Sequence, residues 1–212
     1  MSAAIFIGCA IASYLIGSIP TGFLWAKARG IDIRKLGSGN IGATNVMRTL
    51  GKGPGITVLA IDTVKGFLPV WMAARVLAPT GVNVVWLQII CCVSVVAGHN
   101  WTCWLKFKGG KGVATSAGAL LAFLRFPLIC ALAVWIIVFL LSRYVSLASL
   151  CAAVTVPIAT WFRYRDVTLL IFATLIAAAA IYKHKSNIQR LLAGTENRVS
   201  KRNSASGGGA VA

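Results

Sequence analysis

The sequence is poor in charged residues, and poorest in acidic ones. Only 12% of its 212 residues are charged, and four acidic residues stand against 21 basic ones. A soluble domain carries roughly a quarter charged residues, so a water-soluble globular protein is excluded. Four carboxylates also disfavour a hydrolase that binds two metal ions through Asp and Glu.

Several common catalytic patterns are missing as well. The chain has no Gly-x-Ser-x-Gly nucleophile motif, no paired carboxylates and no His/Cys/Asp cluster with metal-ligand spacing. Its six cysteines lack metal or redox spacing. No metal site is therefore expected, and any chemistry must depend on anion binding and positioning.

Long apolar runs make up much of the chain. Hydrophobic residues account for 58% of the sequence, and residues 3–25 contain no ionisable side chain except Tyr14. Residues 126–142 and 144–162 carry no formal charge. Because a helix that crosses the hydrocarbon core needs about 20 mostly apolar residues, the sequence predicts an all-α integral membrane protein.

About seven transmembrane helices are predicted, and the fourth is the shortest. Its twelve residues, 113–124, rise only about 18 Å, less than the roughly 30 Å core. This segment either begins earlier, at Lys111, or is re-entrant, so five or six spans stay open. The predicted spans are 3–25, 55–75, 82–98, 112–124, 126–142, 144–162 and 167–182.

The basic residues predict how the chain is oriented. Basic residues in short loops are retained in the cytoplasm. Residues 27–54, 99–111, the turn at Arg143 and the stretch from Lys183 onward together hold 16 of the 21 basic residues. The amino terminus is therefore predicted outside and the carboxyl terminus inside. Residues 1–199 are read as one membrane domain and the polar residues 200–212 as a disordered tail.

The first cytoplasmic loop contains a segment typical of anion binding. Glycines allow successive backbone N–H groups to converge on one point, hydroxyl and amide side chains add donors, and Arg48 can hold a phosphate through two hydrogen bonds. An ordinary turn is the alternative, because the same residue types form turns. The predicted binding residues are Gly37, Ser38, Gly39, Asn40, Gly42, Thr44, Asn45 and Arg48.

The second loop places Lys111 among Gly109, Gly110 and Gly112, directly before a predicted helix. The start of a helix has unpaired N–H groups and a partial positive charge, which suit phosphate. This is not a nucleotide-binding P-loop, because position 105 is Leu where that motif needs Gly. The alternative is a basic loop that contacts anionic headgroups.

A third segment, residues 184–196, combines polar residues with apolar ones at helical spacing. It predicts a short helix along the membrane interface, on which His184 and Asn187 share one face. Such a helix is more often an anchor than a site. Glu196, one of the four acidic residues, ends the segment.

Asp62 and Lys65 lie three residues apart within the second predicted span. Charges at membrane depth are costly and usually mark function, or they neutralise each other. Two roles stay open: a pair that supports the site, or direct catalytic contacts.

Taken together, these segments resemble the acyl-phosphate:glycerol-3-phosphate acyltransferases (the PlsY family). Each glycine motif alone is weak, but four in order on a membrane protein are specific, and the similarity covers nearly the whole chain as far as Glu196. The matching segments are residues 17–22, 38–48, 98–100 with 107–115, and 184–196.

The resemblance implies seven spans in a bacterial inner membrane and a site that faces the cytoplasm. It implies transfer of a fatty acyl group from acyl phosphate to the 1-hydroxyl of glycerol 3-phosphate, the first acylation of phospholipid synthesis. The products are 1-acylglycerol 3-phosphate (lysophosphatidate) and inorganic phosphate. No metal, organic cofactor or nucleic acid is implied, and the partners are membrane lipid and the enzyme that makes acyl phosphate.

We expect two groups of residues to bind the two substrates. The backbones of residues 37–44 and 109–112 are expected to cradle acyl phosphate, with His99 and Glu196 nearby. The base is the phosphate of the donor, His99 or His184. The residues expected to hold glycerol 3-phosphate are Ser38, Arg48, Lys111, His184 and Asn187.

Two other functions compete with this one. A transporter of phosphorylated solutes would use glycine-broken segments and intramembrane charges, but here the glycine motifs lie in loops and no internal repeat is present. A non-catalytic lipid-binding scaffold would tolerate exchange of Lys111 and Arg48.

Overall fold

The computed structural model describes residues 2–77 and 81–199, and its regular structure there is helical. The predicted all-α class is confirmed, while the tail predicted for residues 200–212 lies outside the described residues. The helices are α1 (Ser2–Ser18), α2 (Thr21–Lys27), α3 (Ala43–Leu50), α4 (Lys52–Val76), α5 (Val84–Asn100), α6 (Val113–Phe123), α7 (Arg125–Ser142), α8 (Val145–Tyr164), α9 (Val167–Lys183) and α10 (Lys185–Leu192).

Five helical stretches are long and apolar enough to cross a membrane, and a sixth is added if the bent pair α9–α10 counts as one span. The five are α1 with α2, α4, α5 with the turn that follows it, α7 and α8. The 11-residue α6 is shorter. The chain is thus a multi-pass membrane protein, and the count of seven stays a prediction.

The first predicted span, residues 3–25, is interrupted: α1 ends at Ser18 and α2 begins at Thr21. Pro20 causes the break because it lacks an N–H group and disfavours helical backbone at Ile19. At this break the Ile19 carbonyl accepts from the Thr21 N–H at 3.0 Å and from the Lys65 ammonium at 2.8 Å, and Lys65 also pairs with the Asp62 carboxylate at 2.7 Å. Of the two predicted roles for this buried pair, these contacts favour structural support.

Small residues hold the short α6 against α4. A Cβ atom on Gly118 would collide with the Thr63 carbonyl oxygen, and one on Gly66 would collide with the Thr115 carbonyl oxygen. Close approach of backbones through small residues is the usual way that membrane helices pack. This packing fixes the start of α6, where Lys111 lies.

The predicted cytoplasmic segments meet at one end of the bundle. The Lys183 ammonium donates to the Asn100 carbonyl at 2.8 Å, and the Tyr14 hydroxyl donates to the Trp101 carbonyl at 2.7 Å. Near the start of α8, the Arg198 guanidinium donates to the carbonyl of Ser142 at 3.1 Å. The second and third motif segments therefore border the same surface, and Arg48 of the first lies close enough to Lys111 for their charges to interact.

Candidate active site

Lys111 lies at the centre of this surface and joins two of the three predicted segments. Gly112, with a φ of 79°, turns the chain into α6, which directs Lys111 across the surface toward α10. The Lys111 ammonium donates to Asn187 Oδ1, and Asn187 Nδ2 donates to Glu196 Oε1 at 2.8 Å. Residues 76 positions apart in sequence thus share one polar network.

Glu196 holds this network together. Its carboxylate also accepts hydrogen bonds from Arg190 Nε at 2.7 Å and from Ser146 Oγ at 2.9 Å. Burial alone would raise the pKa of Glu196, but the bonds from Asn187, Arg190 and Ser146 outweigh burial and lower it. The carboxylate therefore stays ionised and anchors α10 to α8, rather than being free for a ligand.

Arg190 and Ser146 were not among the predicted site residues. Arg190 lies one helical turn after Asn187, so the spacing of α10 was a usable signal for it. Ser146 is an isolated serine at the start of α8, and nothing in the sequence distinguishes it.

The Lys111 ammonium loses its proton more readily than that of an exposed lysine. Burial lowers the pKa of Lys111 to about 8; Glu196 opposes this shift, and the charges of Arg190, Arg48 and Lys183 add to it. An incoming phosphate dianion would replace lost hydration and offset the surrounding positive charge. The electrostatics of the site therefore favour the binding of an anion.

His184 lies at the 60° bend between α9 and α10 and is 3% exposed. Its Nδ1 lies 2.8 Å from the Ala180 carbonyl, and because a carbonyl only accepts, Nδ1 carries the proton. In the neutral ring, Nε2 is then the acceptor. The Asn187 backbone N–H donates to the His184 carbonyl at 2.8 Å, so the two predicted neighbours are close, as their spacing indicated.

The glycine-rich first loop folds around Asn45 and not around an open anion site. Asn45 Oδ1 accepts from the Ser38 N–H at 2.9 Å, and Nδ2 donates to the carbonyls of Ile33, Leu36 and Asn40 at 2.9–3.3 Å. The buried amide is fully used in this way. The prediction that Asn45 binds substrate is therefore wrong, since its side chain shapes the loop.

The backbone of this loop also differs from the prediction. The N–H groups of Ser38, Gly39 and Gly42 bond to Asn45 Oδ1, the Leu36 carbonyl and Asn40 Oδ1, respectively. They do not converge on a common point, so the predicted nest is wrong for these three groups. Gly37, with a φ of 58°, lies against the Asn45 amide. This packing leaves no room for a side chain there.

The start of α3 is the part of this segment that remains open to an anion. Ala43 and Thr44 occupy its first turn, where backbone N–H groups have no acceptor within the helix, and no side chain caps it. Thr44 and Arg48 are both exposed and lie four residues apart, on one face. Ser38 is likewise exposed, and Arg48 is close enough to influence Lys111.

The second loop folds back onto the end of α5. The Gly109 N–H donates to the Asn100 carbonyl at 3.2 Å, and the Gly110 N–H donates to the His99 carbonyl at 2.9 Å. These two N–H groups are therefore unavailable to acyl phosphate, and that part of the prediction is wrong. The first turn of α6, after Gly112, has no side-chain cap and remains open.

His99 lies beneath this loop instead of in the site. It is 6% exposed, its Nε2 lies where a Cβ on Gly110 would be, and its Nδ1 is 3.9 Å from Asp62 Oδ1. The ring supports the loop from below, which disfavours its predicted contact with substrate. Within residues 2–77 and 81–199, no three His, Cys, Asp or Glu side chains gather as metal ligands.

An apolar cavity of about 80 Å³ begins beside the polar network. It lies between α6, α7, α8 and α9, and Val113, two residues after Lys111, lines its near end. Ala180, whose carbonyl bonds His184, lines it too. The arrangement thus combines cations and open helix ends with an adjoining apolar cavity, which suits a phosphorylated molecule that carries a hydrocarbon chain.

Comparison with known proteins agrees with this chemistry. A family model described as glycerol-3-phosphate acyltransferase matches residues 7–194. A protein of that name from Desulforamulus reducens is 50% identical over 91% of this chain and 94% of its own length, and one from Desulforudis audaxviator is 47% identical over 90% and 93%.

Two solved structures also match closely. They are crystal structures of PlsY (YgiH), an integral membrane glycerol 3-phosphate acyltransferase, in its glycerol 3-phosphate form and its lysophosphatidic acid form. The first has a TM-score of 0.85 and 39% identity, covering 92% of this chain and 96% of that one. The second has a TM-score of 0.82 and 38% identity, covering 92% and 95%. The chain belongs to the glycerol-3-phosphate acyltransferase family.

Proposed function

We propose that this protein transfers a fatty acyl group from acyl phosphate to the 1-hydroxyl of glycerol 3-phosphate, at the cytoplasmic face of a bacterial inner membrane. The products are lysophosphatidate and inorganic phosphate. The observation that carries the proposal is the polar network of Lys111, Asn187 and Glu196 beside the mouth of an apolar cavity. The network suits the phosphate of the acceptor, and the adjoining cavity suits the acyl chain of the donor.

Two phosphates need two positive sites, and the surface offers two. One combines the first turn of α6 with Lys111, and the other combines the first turn of α3 with Arg48, Thr44 and Ser38. Each pairs free backbone N–H groups and the positive end of a helix with a fixed cation. His184 Nε2 and Asn187 border the first of these, where we place the acceptor glycerol 3-phosphate.

The acyl chain of the donor would occupy the apolar cavity between α6 and α9. A membrane-borne donor reaches this cavity from the bilayer, because Leu132 lines it and is also 45% exposed on the outer surface of α7. The donor is supplied by the enzyme that makes acyl phosphate, and the acceptor arrives from the cytoplasm.

The reaction itself needs no covalent enzyme intermediate, because an acyl phosphate is already activated. The 1-hydroxyl oxygen attacks the acyl carbonyl carbon, the bond from that carbon to the phosphate oxygen breaks, and the phosphate leaves with the electron pair. The hydroxyl proton passes to the departing phosphate. The alternative acceptor within the protein is His184 Nε2. Holding two reactants in alignment lowers a barrier by about 7–11 kcal/mol.

The test uses the purified protein in detergent with palmitoyl phosphate and radiolabelled glycerol 3-phosphate. Lysophosphatidate and phosphate should form in equal amounts, and Lys111→Ala should lower kcat/KM by at least ~100-fold, the scale expected for loss of a buried charged contact. Lys108→Ala, an exposed lysine of the same loop, is the matched control and should remain near wild type. Product from acyl-CoA alone would overturn the donor, and uptake of glycerol 3-phosphate without acylation would favour a transporter.

A further inference from the structure

The apolar cavity has a defined direction relative to the site. α6 and α8 begin at the site end, while α7 and α9 end there. Val113 and Ser149 therefore line the mouth, and seven residues further along the same helices Leu120 and Val156 line the far end. Seven residues of helix span about 10 Å, so the lining of the cavity extends this distance into the bundle.

The far end is closed by branched side chains, which we call the floor. Four helices each contribute one, and all four are buried, with exposures of 3–6%. They pack into the main hydrophobic core, so the floor is a fixed surface. Its residues are Leu120, Leu128, Val156 and Ile176.

Between the mouth and the floor, the lining consists largely of small residues. Ala131, Ala153 and Ala177 face the cavity at this level, one from each of α7, α8 and α9. Their short side chains leave the space open. A larger side chain at any of these positions would close the cavity about halfway along.

The wall nearest the mouth is held in place by a tryptophan. Trp135 Nε1 donates to Ser149 Oγ at 3.1 Å, which ties α7 to α8, and its ring stacks on Phe139 with centroids 5.0 Å apart. The half-buried indole is held by a hydrogen bond at its N–H group and by a stacked ring. The cavity thus has a defined width as well as a defined depth.

We propose that the floor determines which acyl chains the enzyme prefers, by limiting how many carbons next to the phosphate can be buried. This inference rests on the proposed function, because it assigns the cavity to the acyl chain of the donor. Each methylene that enters the cavity gains van der Waals contacts with its walls until the chain reaches the floor. Further carbons must bend or leave sideways past Leu132, and they add little.

The first test makes the cavity shallower. Ala153→Phe fills the middle of the cavity, and Val154→Phe, its neighbour on the exposed face of α8, is the matched control. Acyl phosphates from hexanoyl to stearoyl are compared by kcat/KM. Ala153→Phe should lower the ratio of palmitoyl to hexanoyl turnover, because the palmitoyl chain loses more contacts with the far half of the cavity than the hexanoyl chain does. Val154→Phe should leave the ratio unchanged.

The second test makes the cavity deeper. Leu128→Ala enlarges the far end and should raise the ratio of decanoyl to octanoyl turnover, because chains of these lengths end near a floor about 10 Å from the mouth. Ratios are used because partial loss of folded enzyme cancels from them. If both cavity variants lose activity equally at every chain length, or Val154→Phe shifts the ratio as Ala153→Phe does, the floor does not set the preference. A wild-type protein inactive with every acyl phosphate would instead overturn the proposed function itself.

Discussion

At the scale of single residues, the protonation of Lys111 should govern how activity depends on pH. Burial lowers its pKa to about 8, so the ammonium that attracts phosphate is present below that pH and lost above it. We therefore expect kcat/KM for glycerol 3-phosphate, which reports groups of the free enzyme, to fall tenfold per pH unit above about pH 8. The profile would be measured from about pH 6 to about pH 10 at saturating donor.

The origin of that decline can be checked with a conservative change. Lys111→Arg keeps the cation, but arginine does not deprotonate in this range, so the decline should disappear even if the overall rate falls. Lys108→Arg on the exposed part of the loop should leave it in place. A decline that persists unchanged in Lys111→Arg would assign the titration to another group or to the substrate.

The residue roles also show what sequence patterns can and cannot predict. Lys111 was predicted as a site residue because a cation among glycines suits phosphate, and Asn187 because it shares a helix face with His184. The two side chains are in contact. Asn45 carries the same chemistry, yet its amide is used by backbone carbonyls. The sequence shows which hydrogen-bond donors a side chain carries. Which acceptors these donors bind depends on the conformation of the folded loop.

At the scale of helices, the close contact between α4 and α6 should be essential. Gly118→Ala puts a Cβ against the Thr63 carbonyl oxygen and the Phe67 amide, both backbone atoms that cannot move aside. We expect a loss of about 1–3 kcal/mol in the free energy of unfolding, typical of overpacking, and lower activity because the start of α6 shifts. Thermal unfolding in detergent would measure this.

Gly8 supplies the matched control for this variant. It is also a helical glycine, but no atom lies within 4 Å of the position of its Cβ. Since alanine is the better helix former by up to about 1 kcal/mol, Gly8→Ala should leave stability unchanged or raise it. Equal losses in both variants would show that helix packing at Gly118 is not the cause.

Helix positions followed closely from the sequence, and the exceptions have physical causes. Apolar runs bounded by glycine and charge gave α4 through α9 to within a few residues. The break at Pro20 was missed because an apolar run of 23 residues looks continuous. The helix α3 was missed because only half of its eight residues are apolar. The hydrogen bond from Lys65 to the Ile19 carbonyl at this break joins two helices that are distant in sequence. The spacing of apolar residues within one segment cannot predict such a contact.

At the scale of the whole molecule, the position of α6 determines how many times the chain crosses the membrane. Eleven residues rise about 16 Å, short of the roughly 30 Å core. However, α5 and α7 both end at the site end of the bundle, and α7 is long enough to span. The chain must therefore cross from the end of α5 at the site end to the start of α7 at the far end. The helix between these two points is α6.

A chain in which α6 completes this return crosses seven times, so its termini lie on opposite sides. The distribution of basic residues predicts that the carboxyl terminus lies in the cytoplasm. A protease-sensitive tag at each end, tested in sealed inverted inner-membrane vesicles, should be cleaved at the carboxyl terminus and protected at the amino terminus. Detergent should expose both tags, which controls for intact vesicles. Cleavage of both tags before detergent is added would mean an even number of crossings, as expected if α6 were a re-entrant segment and the other six spans crossed.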